Sequence, residues 1–399
     1  MSKTTSPFSK EQLMPQEEML EVQREKRELL IGIPKESYLQ EKRVCLTPDA
    51  VAALSAHGHR VVLETGAGLG SNFSDKDYSE AGAKISYDVN EAFGCNIILK
   101  VSSPSQTEID MMNPQSVLFS ALQLKTQSKK YFESLAKKRI TAVAFDFIQD
   151  EQGAYPVVKS LSEIAGTASI LIASEIMSSS IDGQGLLLGN ISGVPPTDVV
   201  ILGAGTVAEF AARSALGLGA RVKVFDNSLS KLRHLQHSLG TLIYTSTIQP
   251  KTLQKALMRC DVAIGAIRGT TRSPIIVSEA MVENMKEGAV IVDVSIDRGG
   301  CFETSEVTTH KKPTFEKHGV IHYCVPNIPS RYSRTASVSI SNIFTTYLLN
   351  IAEEGGFENA VRFDRSLQKG MYFYHGILTN RSVADWFGLP YRDINLLIL

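Results

Sequence analysis

VVILGAGTVAEFAARSALGLGARVKVFD, residues 199–226, reads as an apolar strand, a glycine turn, an alanine-rich helix, a second strand and a closing acid. Gly203 permits the tight turn, Gly205 lets the backbone approach a pyrophosphate, and small Ala208 allows close helix-to-strand packing. Thr206 and Val207 open the helix, whose N-terminus meets the phosphates. Asp226 closes the next strand, roughly 20 residues on, where a carboxylate accepts hydrogen bonds from the adenosine ribose. That carboxylate repels a 2′-phosphate. The expected cofactor is therefore NAD rather than NADP.

Outward from this unit, short apolar runs alternate with helical patterns. Before it come LLIGI, a helix after Thr47-Pro48 ending at Gly58, then RVVLE, NIILKV, SVLFSAL and AVAFDF. After it come DVAIGAI (261–267), AVIVDVSI (289–296) and IHYCVP (321–326). This rhythm predicts α/β architecture: two doubly wound parallel-sheet domains, a Rossmann-type dinucleotide domain and a Rossmann-like substrate domain, with a cleft between them. Residues 157–334 form the dinucleotide domain, 29–156 with 335–399 the substrate domain, and 1–28 an extension in which Ser9 and Gln12 suggest a capping box. A second capping box, Ser160 with Glu163, is expected to open a long helix reaching Met177.

The chain has 399 residues and 43% hydrophobic content, enough for two ordinary cores. Lys and Arg number 41 against 42 Asp and Glu, which excludes the electrostatic footprint of a nucleic-acid or anionic-membrane binder. A small-molecule partner is favoured. The five cysteines are odd in number and lack CxxC spacing, so a reducing, cytoplasmic compartment is expected. The polar N-terminus lacks the apolar core of a signal peptide. Residues 335–352, TASVSISNIFTTYLLNIA, have nearly the length of a bilayer span, but their Ser, Thr and Asn content predicts a buried helix between domains. No membrane span is expected, and no metal is needed for hydride transfer.

Ligands of open α/β sheets bind beyond the carboxyl ends of the strands. Asp297 follows VIVDVSI and precedes Gly299-Gly300, which puts a carboxylate at such a mouth; Asp293, inside the run, reads as structural. Lys100 ends NIILK, and Arg43 stands in EKRVCLTP before a helix. Each cation alone reads equally as a solvated charge. Together they suit an anionic substrate.

The stretches IGIPKE, KRVCLTPDAV, ILKV, SEIAG, the glycine unit, VDVSIDRGGCFE and PTFEKHGVIHYCVPNIPS together resemble the alanine dehydrogenases, of the superfamily shared with the nucleotide-binding subunit of transhydrogenase. The resemblance covers about residues 29–390. It implies that Arg43 pairs with the substrate carboxylate, that Lys100 contacts the carboxylate or carbonyl oxygen, and that Asp297 lies beside the nicotinamide. It further implies that Ser162 touches the pyrophosphate, that Ile267, Val294, Ser295, Ile296 and Asn327 line the cofactor pocket, and that the chain forms homo-oligomers, commonly hexamers.

One position departs from the family. In VLFSALQLK the pattern places a catalytic histidine where this chain has Gln123. Glutamine can hydrogen-bond a carbonyl but cannot cycle a proton. Three readings stand: Asp297 or Lys100 carries the proton; Gln123 reads a different amino or imino acid; or catalysis is lost and the chain is an NAD-binding module. Among the eight histidines, His322 is the best placed substitute.

Overall fold

A computed structural model describes residues 27–37, 41–181, 183–269 and 272–398. The expected extension and its Ser9 capping box lie, but for residues 27 and 28, outside the described residues. Six strands open the chain: β1 (Leu30–Ile33), β2 (Arg60–Glu64), β3 (Lys84–Ser86), β4 (Ile97–Leu99), β5 (Val117–Ser120) and β6 (Thr141–Ala144). Seven more follow the glycine unit's entry: β7 (Asp198–Leu202), β8 (Arg221–Phe225), β9 (Tyr244–Ser246), β10 (Val262–Gly265), β11 (Val290–Asp293), β12 (Thr314–Lys317) and β13 (Val320–Tyr323). Two close the chain, β14 (Met371–Tyr374) and β15 (Ile377–Leu378).

The first sheet has the order β15-β14-β6-β5-β4-β1-β2-β3 and the second β12-β13-β11-β10-β7-β8-β9. Both are buried on two faces, as parallel strands flanked by helices must be. In β7, Val199 and Ile201 enter one core while Val200 and Leu202 enter another. In β4, Ile97 and Leu99 point to one side and Ile98 to the other.

The two doubly wound, mostly parallel sheets are as expected, with antiparallel pairs only at their edges. β12 runs antiparallel to β13, and β14 runs antiparallel to both β6 and β15. The cause is local. His318-Gly319 joins β12 to β13 and His375-Gly376 joins β14 to β15, all four residues with positive φ (55°, 70°, 48° and 81°). Two-residue turns of that hand return a strand against its neighbour.

The helix after Thr47 spans Pro48–Ala56, with Gly58 at φ 84° beyond its end. The long helix also differs from expectation: it spans Pro156–Met177 and starts at a proline after Tyr155, so Ser160 and Glu163 lie inside it and form no cap. It is long and apolar enough to cross a bilayer. Here it is a core element, burying Ala165, Gly166, Ala168, Ile172 and Ile176 among others.

The uncharged segment becomes the helix Ser333–Glu353. Ile340, Phe344, Leu348 and Ile351 fill the first sheet's core. Its serines face the loop before Pro48: Ser337 Oγ accepts the Val44 N–H at 2.9 Å, and Ser341 Oγ accepts the Thr47 N–H at 3.0 Å. That explains its composition. The polar side chains hold the loop that carries Arg43.

Candidate active site

At the end of β7, Gly203 has φ 108°, and a Cβ there would fall 2.5 Å from the Ala266 carbonyl oxygen. Only glycine fits. Gly205 precedes the helix Thr206–Gly217, which has no side-chain cap, and a Cβ on Gly205 would meet nothing within 4 Å. The first turn thus presents uncapped N–H groups to open space, as an anion site requires. Ala208 is fully buried. Gly166 of the long helix sits so close that a Cβ would lie 2.4 Å from the Val207 carbonyl oxygen. Ser162, one turn earlier, donates its hydroxyl to the Val158 carbonyl at 2.6 Å.

Asp226 braces this loop: its Oδ2 accepts the Ala204 N–H at 2.8 Å and its Oδ1 the Ser228 N–H at 2.7 Å. Across the sheet, the Ile267 N–H donates to Ser295 Oγ at 3.0 Å, and the Ser295 N–H donates to Asp293 Oδ1 at 3.0 Å. Asp293 also accepts from the Cys301 N–H and the Ser305 hydroxyl, which confirms it as a buried structural carboxylate. Val294 and Ile296 share the turn Val294–Arg298 with Ser295. Glycine loop, acid and strand mouths therefore fit a dinucleotide.

Asp297 follows on that turn. It is exposed by surface area, yet desolvation raises its pKa, opposed by the Asn327 N–H and by the charges of Arg43 and Arg298. Its Oδ1 accepts the Asn327 N–H at 2.9 Å, with Asn327 in the left-handed region at φ 57°.

Arg43 is buried and gripped by Glu41, Nε to Oε1 at 2.7 Å and Nη2 to Oε2 at 2.6 Å. Two of its five N–H donors are thereby used, along one edge of the fork. Glu41 also accepts from Asn327 Nδ2 at 2.9 Å and from Ser330 Oγ at 3.3 Å. Burial pushes the Glu41 pKa up, but Arg43 and these hydrogen bonds leave it below the usual carboxylate value. Arg43, Asp297 and Asn327 thus share one locus.

Lys100 lies a step behind. It has no exposure and pairs with Glu108 at 3.0 Å and Glu36 at 3.4 Å. Burial opposes its charge, yet the two carboxylates raise its pKa. Their own shifts disagree: Glu108 is lowered by Lys100 and backbone contacts, while desolvation leaves Glu36 raised. Glu108 is the ionised partner we assign, because the capping N–H of Ser105 also stabilises its charge.

Gln123 has φ 47° and starts the turn Leu124–Thr126 after β5. Asp146, beyond β6, accepts the Leu122 N–H. His322 is removed as a substitute: its Nδ1 meets the Val320 carbonyl at 2.9 Å, its Nε2 meets Thr304 Oγ1 at 2.8 Å, and it is fully buried against Phe315. It is a satisfied core residue with a lowered pKa, mainly from burial. Sequence reasoning missed Glu36, Glu41, Glu108 and Asp146. Two of them carried a local signal: Glu41, two residues before Arg43, and Glu108, three residues after Ser105 in a capping box.

The fold and site define a two-domain α/β protein of the dinucleotide-dependent oxidoreductase class. Sequence models of the alanine dehydrogenase/PNT family match residues 32–165 (N-terminal domain) and 169–381 (C-terminal domain). An alanine dehydrogenase of Staphylococcus epidermidis is 37% identical over 366 residues, covering 91% of this chain and 98% of that one. One from Mycolicibacterium smegmatis is 38% identical over 367 residues, with 92% and 98% covered. A solved L-alanine dehydrogenase superposes with a TM-score of 0.85 at 35% identity, covering 90% of this chain and 99% of the other. The chain belongs to the alanine dehydrogenase/PNT family.

Proposed function

We propose that the chain is an alanine dehydrogenase, catalysing the reversible NAD-dependent oxidative deamination of L-alanine to pyruvate and ammonium. The observation that carries this reading is the link of Arg43, through Glu41 and Asn327, to Asp297, which follows β11 in the sheet that carries the glycine loop. NAD, when bound, would supply the acceptor for the substrate's Cα hydride; the Gly203–Ala208 loop and Asp226 would hold it, with Ser162, Ile267, Val294, Ser295, Ile296 and Asn327 around it.

Arg43 offers its remaining donors to the substrate carboxylate. Lys100, its pKa raised, stays cationic at neutral pH and orients oxygen rather than cycling a proton. That task falls to Asp297, whose raised pKa and access to water suit it to take a proton from the amino group and to assist hydration of the imine. Gln123 hydrogen-bonds the carbonyl. The working assembly is a homo-oligomer, hexameric by family resemblance, in the cytoplasm.

Steady-state NADH formation across a panel of amino acids tests the reading, with pyruvate and ammonium for the reverse direction. Alanine is expected to give the highest kcat/KM. NADH binding without turnover on any amino acid overturns it in favour of a binding module. Gln123 itself favours one second reading, a dehydrogenase for another amino acid, and the panel then singles out that substrate.

A further inference from the structure

Asn327 makes two bonds in two directions. Its backbone N–H holds Asp297 Oδ1, and its side-chain Nδ2 holds Glu41 Oε2, the oxygen that also receives Arg43 Nη2. Glu41 and Arg43 belong to the loop before the first helix, while Asp297 and Asn327 follow strands of the second sheet. One residue therefore ties the anion-binding arm of one domain to the acid–base arm of the other. Its left-handed backbone, φ 57° and ψ 49°, turns the N–H toward Asp297 while the side chain reaches Glu41.

We infer that Asn327 is a positioning residue that sets the Arg43 guanidinium in register with the Asp297 carboxyl, acting through Glu41. The inference rests on the proposed dehydrogenase reading, in which Arg43 binds the substrate carboxylate. A guanidinium held along its Nε/Nη2 edge cannot rotate about its stem, so its free edge faces one direction. Glu41 supplies that grip, and Asn327 and Ser330 fix Glu41. Without the side chain of Asn327, Glu41 and Arg43 can still pair, but the pair is no longer referenced to Asp297.

The test begins with the unmodified chain: absence of turnover on any amino or oxo acid would sink the dehydrogenase reading before this inference is reached. Given turnover, Asn327→Gly keeps the left-handed backbone and the N–H to Asp297 and removes only the side-chain bond. Its KM for pyruvate should rise about tenfold or more, with kcat changing less than about threefold, as loss of a charge-assisted bond outside the reacting atoms predicts. NADH affinity, read by fluorescence titration, is measured separately because Asn327 also lines the cofactor pocket, and the rise in pyruvate KM should exceed any loss of NADH affinity.

Glu41→Gln gives a second route should Asn327→Gly fold poorly, and it should raise the same KM. The double variant should be no worse than the more impaired single variant, since Asn327 acts through Glu41. An unchanged KM in Asn327→Gly overturns the inference, as does a KM rise that multiplies in the double variant. A loss confined to NADH affinity also overturns it, leaving Asn327 as a cofactor contact only.

Discussion

Asp146 Oδ1 accepts the Leu122 backbone N–H at 3.2 Å, so a half-buried carboxyl group braces the residue before Gln123. Desolvation raises the Asp146 pKa, against the pull of that N–H and of Arg268 and Arg298. A raised folded-state pKa means that ionising Asp146 costs stability as pH rises above the ordinary aspartate value. Asp146→Asn keeps an acceptor for Leu122 and removes the charge. Its melting temperature should exceed that of the unmodified chain at neutral pH and match it near about pH 3, where both side chains are neutral. A constant difference across that range would show that Asp146 is not perturbed.

Lys100→Met is expected to destabilise strongly. It leaves Glu36 and Glu108 facing each other without the cation, an imbalance that typically costs about 3 kcal/mol or more. Because Lys100 lowers the Glu108 pKa, the lost stabilisation is largest above the normal glutamate range and shrinks as acid protonates Glu108. Denaturant titrations at neutral pH and near about pH 4 check this. Equal losses at both would assign the effect to packing alone.

Arg43→Ala should lower kcat/KM for pyruvate by about 2 kcal/mol or more while NADH still binds. Asp297→Asn should act differently: the Asn327 N–H keeps an acceptor, substrate binding persists, and kcat falls by on the order of 10²-fold or more. Pre-steady-state measurement of hydride transfer separates the two. Unchanged turnover in Asp297→Asn would remove Asp297 from the chemistry.

Cofactor choice turns on Asp226. NADH should bind more tightly than NADPH, and Asp226→Ala should narrow the gap mainly by weakening NADH. The structure adds a second cause, because Ala204 and Ser228 lose the acceptor that shapes the loop. Calorimetry giving equal or tighter NADPH binding to the unmodified chain would refute the preference.

Gln123→His should raise alanine turnover by on the order of 10²-fold if only a proton-cycling group is missing. The backbone there has φ 47°, a region histidine enters more readily than most residues. Reduced activity on another amino acid, with alanine unmoved, would instead mark Gln123 as a reader of that substrate.

What was legible in the sequence was local. The glycine unit, the closing Asp226, the strand-end Asp297 and the helix after Thr47 each depend on neighbours a few positions away. What escaped depends on partners far along the chain: Glu41 with Asn327, Lys100 with Glu36, and Ser337 with the Val44 N–H. A solvated glutamate and a clamp-forming one look alike until the fold closes. The two His-Gly turns were readable, since glycine after a residue able to adopt positive φ marks a hairpin. The helix start at Pro156 was readable too, had proline at the first turn outweighed the Ser160–Glu163 spacing.

The position of β14 has a consequence for how the protein is made. β6 is covered on its outer edge by β14, which arrives only with residues 371–374. The whole second sheet, ending at Tyr323, emerges from the ribosome before that cover exists. During synthesis the nascent first sheet therefore carries a bare Thr-Ala-Val-Ala rim available to other chains. The last strands to be synthesised seal the first sheet to be laid down.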